Sequence, residues 1–168
     1  HNLTHLGELF ALLEEVAERL NKPEDVELAI WYHDLVYNPM RQDNEGASAR
    51  KARKVLEGWG LGAARITRIC QHIEATAGHQ LNSEETDQAY FLDADLAILG
   101  SGREKYQAYT QQIRKEYAVF PNMLYNPGRK KVLEKLLDKP QLYFTPHFHT
   151  QFEAKARENL EWEIQQLS

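Results

Sequence analysis

From Thr4 to Leu20 the apolar residues Leu6, Leu9, Leu13, Val16 and Leu20 recur at three- and four-residue steps, with Glu8, Glu14, Glu15, Glu18 and Arg19 between them. That spacing gathers the apolar side chains on one stripe and predicts an amphipathic first helix. His5 continues the stripe through Leu9, Leu13 and Val16, so it can point inward from the start of that helix, and His1 stands one turn before it. Asn21-Lys22-Pro23-Glu24 breaks the pattern and restarts it, because proline suits a first helical turn and Asn21 can cap it. In the second helix Val26, Ile30, His33, Asp34 and Tyr37 share one stripe, and the helix is expected to end near Tyr37, since Asn38 precedes Pro39.

A polar loop from Asn38 to Asn44 leads to a third predicted helix, about Glu45 to Leu56, lined by Ala47, Ala49, Ala52, Val55 and Leu56 and stopped by Gly58 and Gly60. A fourth, about Ala63 to Thr76, buries Ile66, Ile69, Cys70 and Ile73; His72 lies off that stripe near Arg65 and Arg68 and reads as solvated or capping. A fifth runs from about Glu85 to Leu99 with Phe91, Leu92, Leu96 and Leu99 as core. Within it Asp93 and Asp95 are ~200° apart around the axis, so one of the two normally faces a given site, and periodicity leaves open which. The sixth, about Arg103 to Phe120, carries Tyr106, Tyr109, Ile113, Tyr117 and Phe120 as packing, with Arg114 on its flank. After Pro121 and Asn126-Pro127-Gly128, a short helix holds Val132, Leu133, Leu136 and Leu137 and ends at Lys139-Pro140. Tyr143 and Phe144 fall in a loop, and a last helix, about Thr150 to Leu167, buries Phe152, Ala156, Leu160, Ile164 and Leu167, with Glu153 and Arg157 at i, i+4. No strand-like alternation persists and no repeat is visible, so the expected fold is all-α, a single domain over residues 1–168.

Composition narrows the function classes. The 168 residues, 42% of them hydrophobic, suffice for one domain with a core. A net charge of −5 gives no basic field for a nucleic-acid polymer. The single cysteine, Cys70, excludes an internal disulfide and a cysteine-built zinc site. No stretch approaches the ~20 apolar residues of a membrane span and no signal-peptide pattern opens the sequence, so a cytoplasmic protein without a membrane partner is expected. Nothing in these features rules out a homo-oligomer.

The chemistry gathers around Trp31-Tyr32-His33-Asp34-Leu35. A carboxylate on a core-facing stripe loses hydration and costs several kcal/mol, to order of magnitude, unless a cation or hydrogen bonds compensate it. His1, His5 and His79, with Asp93-Ala94-Asp95 inside an apolar run, could complete a nitrogen and oxygen donor set. A histidine, a His-Asp pair and a distant aspartate in this order resemble the signature of the HD-domain metal-dependent phosphohydrolases, and the chain is most similar to a bacterial subgroup of predicted HD-superfamily phosphohydrolases. The resemblance spans nearly the whole chain, through His1-Asn2-Leu3-Thr4-His5-Leu6, Trp31-Tyr32-His33-Asp34, Asn44-Glu45-Gly46-Ala47-Ser48-Ala49, Leu92-Asp93-Ala94-Asp95-Leu96-Ala97-Ile98-Leu99-Gly100 and Ile113-Arg114-Lys115-Glu116-Tyr117.

The resemblance implies one divalent ion (Mn, Fe, Co, Ni, Zn or Mg) held by His5, His33, Asp34 and Asp95, with Asp93 in a supporting or capping place. The ion would lower the pKa of a water and neutralise phosphoryl charge, with Asp34 orienting that water. Arg114 lies in a segment that resembles the family's and is the candidate for clamping phosphate, because its planar guanidinium can bind two oxygens at once; otherwise it pairs with Glu116 or Asp95. His79, following Gly78, matches the family's later histidine and is assigned to the substrate side. The chain departs from HD enzymes that carry a carboxylate within a turn after the His-Asp pair; Glu45 is the candidate acid or base in its stead. The expected reaction is hydrolysis of a phosphate ester or anhydride in a small molecule, a nucleotide foremost. The alternatives are a non-catalytic HD module sensing a nucleotide or metal, and a dinuclear iron oxygenase with His79 at a second ion.

Overall fold

The computed structural model of the chain describes residues 3–81 and 86–167. Helix accounts for 74% of the described residues and no strand occurs among them, so the protein is all-α. His1 and the expected helix start at Glu85 lie outside the described residues. The chain forms two compact units, with the boundary between Asp95 and Leu96.

The first unit contains α1 (Leu3–Glu14), α2 (Pro23–Tyr32), α3 (Asn44–Gly58), α4 (Ala63–Ala75) and all but the last residue of α5 (Thr86–Leu96). α4 packs against both α2 and α3. Against α3 the contact is close because Ala49 and Ala52 are buried there, and Cys70 Sγ donates to the Ala49 carbonyl at 3.4 Å. Toward α2 the buried Asp25 accepts from Arg65 and, at 2.9 Å, from Arg68 of α4. The start of α2 is capped from a distance. Asn21 was expected to cap it, but the N-cap residue is Lys22, which makes no side-chain capping bond. Instead the amides of Asn21 and Lys22 each donate to an Asp87 carboxylate oxygen at 2.8 Å, so α5 anchors the helix that leads to His33.

α2 stops at Tyr32, short of the expected Tyr37. His33 is its C-cap, and the Val36 amide turns to Ser48 of α3 instead of a helical carbonyl. α1 likewise ends at Glu14, with a separate 3-10 turn at Ala17–Arg19. α5 is buried from Asp87 to Leu96 except at Asp95, which is partly exposed. A helix buried on all faces carries no amphipathic stripe.

The second unit comprises a 3-10 turn (Ala97–Gly100), α6 (Arg103–Glu116), α7 (Asn122–Leu137) and α8 (Pro146–Gln166). A Cβ on Gly100 would sit 2.6–2.9 Å from Phe152 Cβ, O and Cα, so only glycine admits α8 this closely. Two turns further along α8, the buried Asn159 Nδ2 donates to the carbonyls of Leu99 at 2.7 Å and Ser101 at 2.9 Å. Glu163 accepts from Tyr106 Oη and from Arg129 Nε at 2.7 Å; burial, reinforced by this carboxylate, pushes the Tyr106 phenol well up.

In the second unit three helix boundaries depart from the sequence expectation. α6 ends at Glu116, where Arg114 donates to the carbonyls of Tyr117 and Phe120. α7 starts at Asn122 and continues through Pro127, which has no amide hydrogen to give the carbonyl of Met123, an exposed residue. α8 starts at Pro146, because the Thr145 hydroxyl accepts from the Phe148 amide and proline suits the first turn. Packing also departs from it in places: of the α6 aromatic stripe only Tyr106 is fully buried, and Val132 is 49% exposed.

Candidate metal centre

Three segments of the first unit bring polar side chains to one place. His5, in the first turns of α1, puts Nε2 3.1 Å from Asp95 Oδ1, although the two are ninety positions apart. His33, just past α2, puts Nε2 3.1 Å from Asp34 Oδ2 and 3.6 Å from Asp95 Oδ1. His79, beyond α4, puts Nε2 2.9 Å from the other Asp95 oxygen, Oδ2. A nitrogen from each of His5 and His33 and an oxygen of Asp95 lie within 4.8 Å of one another. The imidazole of His33 is held edge-on between rings, 5.6 Å from His5 and 5.8 Å from the fully buried Phe91, one turn before Asp95 on α5.

The proton on His33 can be placed. Nδ1 lies 2.8 Å from the Ile30 carbonyl, which can only accept, so Nδ1 carries a hydrogen. That carbonyl is one of those left open by the end of α2, so the helix terminus that stops the chain at His33 also selects its tautomer. Nε2 is then the nitrogen turned toward the carboxylates, buried, 3.1 Å from Asp34 Oδ2 and 3.6 Å from Asp95 Oδ1. A lone pair facing two carboxylate oxygens is repelled, so the position calls for a cation: a second proton or a metal ion. Burial alone would lower the His33 pKa, but the hydrogen bond and charge of Asp34 and the charge of Asp95 raise it to about 9. Burial would raise the Asp95 pKa, yet hydrogen bonds from His5 and His79 and the charge of His33 hold it well below the usual carboxylate range.

The donors fit a divalent ion. Imidazole nitrogen and carboxylate oxygen are the ligands such ions take when no thiolate is offered, and His33 Nδ1 and Asp95 Oδ2 are each held by a further hydrogen bond. His33 is 1% exposed while His5, Asp34 and His79 are 21–25% exposed, so the cluster is closed on one side and open to solvent on the other. His79 is reached at a conformational cost: its φ of 45° is left-handed, a state that costs a non-glycine residue about 1–2 kcal/mol.

The remaining sequence candidates are placed elsewhere. Asp93 is fully buried, and it is Asp95 that meets the three histidines. Glu45 lies in the first turn of α3, partly exposed, and makes no hydrogen bond or ion pair with the cluster among the described residues. Arg114 belongs to the second unit. Its guanidinium donates to Asn122 Oδ1 and to the carbonyls of Tyr117 and Phe120 while lying 4.7 Å over the Tyr125 ring, which joins the end of α6 to the start of α7. It also lines a cleft of about 330 Å³ with Asn122, Tyr125, Trp162 and Glu163. His72 is not solvated: it is 1% exposed, with its ring 6.3 Å from Phe91. The supports missing from the sequence reading are Asp87 and Ser48, both polar residues holding backbone amides far along the chain. No helix among the described residues is long and apolar enough to cross a membrane. No family model, curated protein or solved structure matches the chain.

Proposed function

We propose that the chain is a metal-dependent phosphohydrolase of the HD superfamily, acting on a phosphate ester or anhydride of a small molecule, with nucleotides the first class to offer. The observation that carries the metal part is the buried Nε2 of His33, fixed as the free nitrogen by Nδ1 and turned toward Asp34 and Asp95. His5, His33, Asp34 and Asp95 would hold the ion, with His79 steadying the second Asp95 oxygen. A divalent cation held there supplies positive charge that acidifies water and offsets negative charge developing on a phosphoryl group. The protein's own contribution is position: Asp34 has one oxygen against His33 and its side chain borders solvent, where a carboxylate can orient a water and accept its proton. The hydrolytic part rests on the resemblance of the His5, His33-Asp34 and Asp95 segments to the HD signature.

Metal analysis and a phosphate-release screen test the two parts separately. The purified protein should take up one equivalent of Mn, Co or Zn, Asp34→Ala should lose tight binding, and Asp93→Asn should keep it. Metal-loaded wild type should release phosphate from at least one class of phosphorylated metabolite. Protein that binds the ion but is inert to every phosphate offered would point to the sensor module, and equal loss of metal in the two variants would remove the assignment of Asp34.

A further inference from the structure

The His33 amide still donates to the Ala29 carbonyl at 2.9 Å, the last four-residue helical bond at the end of α2; beyond Asp34 the first turns of α3 take over the backbone. The Ser48 hydroxyl accepts from the Val36 amide at 3.0 Å and reaches the Val36 carbonyl at 3.4 Å. Asn44 treats Asn38 in the same way, its Oδ1 accepting from the Asn38 amide and its Nδ2 donating to the Asn38 carbonyl, each at 3.0 Å. Residues four apart on a helix thus hold residues two apart in the loop. The spans agree, since four helical residues rise ~6 Å and two residues of extended chain cover ~6.6 Å. Beyond this clasp the Met40 amide donates to Asn38 Oδ1 and the Arg41 amide to the Asn38 carbonyl, turning the chain at Pro39 back toward α3.

We infer that Asn44 and Ser48 are positioning residues for the His33-Asp34 pair, holding the backbone two (Ser48) and four (Asn44) residues beyond Asp34 so that its carboxylate stays against His33. The inference rests on the metal-centre reading above and adds to it two side chains that do not touch the cluster. Ser48 is fully buried on the same face of α3 as Ala49 and Ala52, where packing alone favours a methyl group. A buried hydroxyl is tolerated there because it satisfies the loop's amide, which would otherwise lose its hydrogen bond away from water.

The test measures Zn affinity by calorimetry and the visible absorption of the Co-substituted protein, whose bands report ligand geometry, in Ser48→Ala, Asn44→Ala and Ser48→Thr. Ser48→Ala and Asn44→Ala should stay helical, bind Zn about ten- to hundredfold more weakly and shift the Co bands, as removal of a ligand's supporting hydrogen bond does elsewhere. Ser48→Thr, which restores the hydroxyl, should recover the wild-type spectrum. Asn159→Ala, which removes two hydrogen bonds in the second unit, should lower stability and leave the Co spectrum unchanged. Should Ser48→Ala fail to fold, Asn44→Asp at a partly exposed position keeps the acceptor and loses the donor, and the same weakening is expected. Wild-type affinity and spectrum in both alanine variants would overturn the positioning role while leaving the metal centre standing. A wild-type protein that takes up neither ion would overturn both.

Discussion

At the scale of the residue, His33 carries the most consequence. Its imidazole has a folded-state pKa near 9, above the ordinary value of about 6.5, so the proton is bound more tightly in the native state than in the unfolded chain. A raised pKa gives stability that is complete below about pH 6.5, falls as the pH rises and is gone above about pH 9. The difference is worth on the order of 3 kcal/mol in chelator-treated protein. Urea denaturation of the chelated wild type and His33→Gln between pH 6 and 10 should show a stability gap that shrinks over that window. A pH-independent gap would mean that the proton on Nε2 contributes nothing. The sequence placed His33 and Asp34 on an inward stripe of a continuing helix, whereas both lie past its end; the reason is that Val36 finds its partner in Ser48, twelve residues on. His72 is buried although it lies off the isoleucine stripe, because α4 buries more than one narrow stripe and encloses this polar residue against Phe91.

At the scale of the element, the existence of the helices was legible and their ends were not. Apolar periodicity is repeated over several turns and survives local exceptions, but a terminus depends on one or two partners that can come from anywhere in the fold. Asp87 capping α2 is such a partner, whereas Thr145-Pro146 at the start of α8 is a local signal carried by the sequence itself. Pro127 reads as a break in the sequence, yet α7 runs through it, with the lost bond falling at the exposed Met123. The 3-10 turn after α5 offers the clearest mutational test. Gly100→Ala forces a methyl group into the backbone of Phe152, so α8 or the turn must shift, and overpacking of this kind costs about 1–3 kcal/mol. A drop of that size in the urea midpoint, with the slope unchanged, is the expected result; Gly102→Ala, where nothing lies within 4 Å, is the control.

At the scale of the whole molecule, the all-α class follows directly from the absence of alternation in the sequence, while the division at Asp95 had no composition shift or linker to announce it, because it falls inside α5. The separation of His5 from Asp95 along the chain has a kinetic side. Bringing together residues ninety positions apart carries roughly 4 kcal/mol of loop-closure entropy, which native contacts repay only once most of the first unit has assembled. The cluster is therefore expected to form on the native side of the folding barrier, and an ion that binds only the finished cluster stabilises the native state without lowering that barrier. In stopped-flow urea jumps, saturating Zn should slow unfolding in proportion to the added stability and leave the refolding rate as it was. Faster refolding with unchanged unfolding would mean that the donors meet early. On this expectation the ion acts as a latch on a finished fold, and its loss should be felt first as a shorter lifetime of the folded chain.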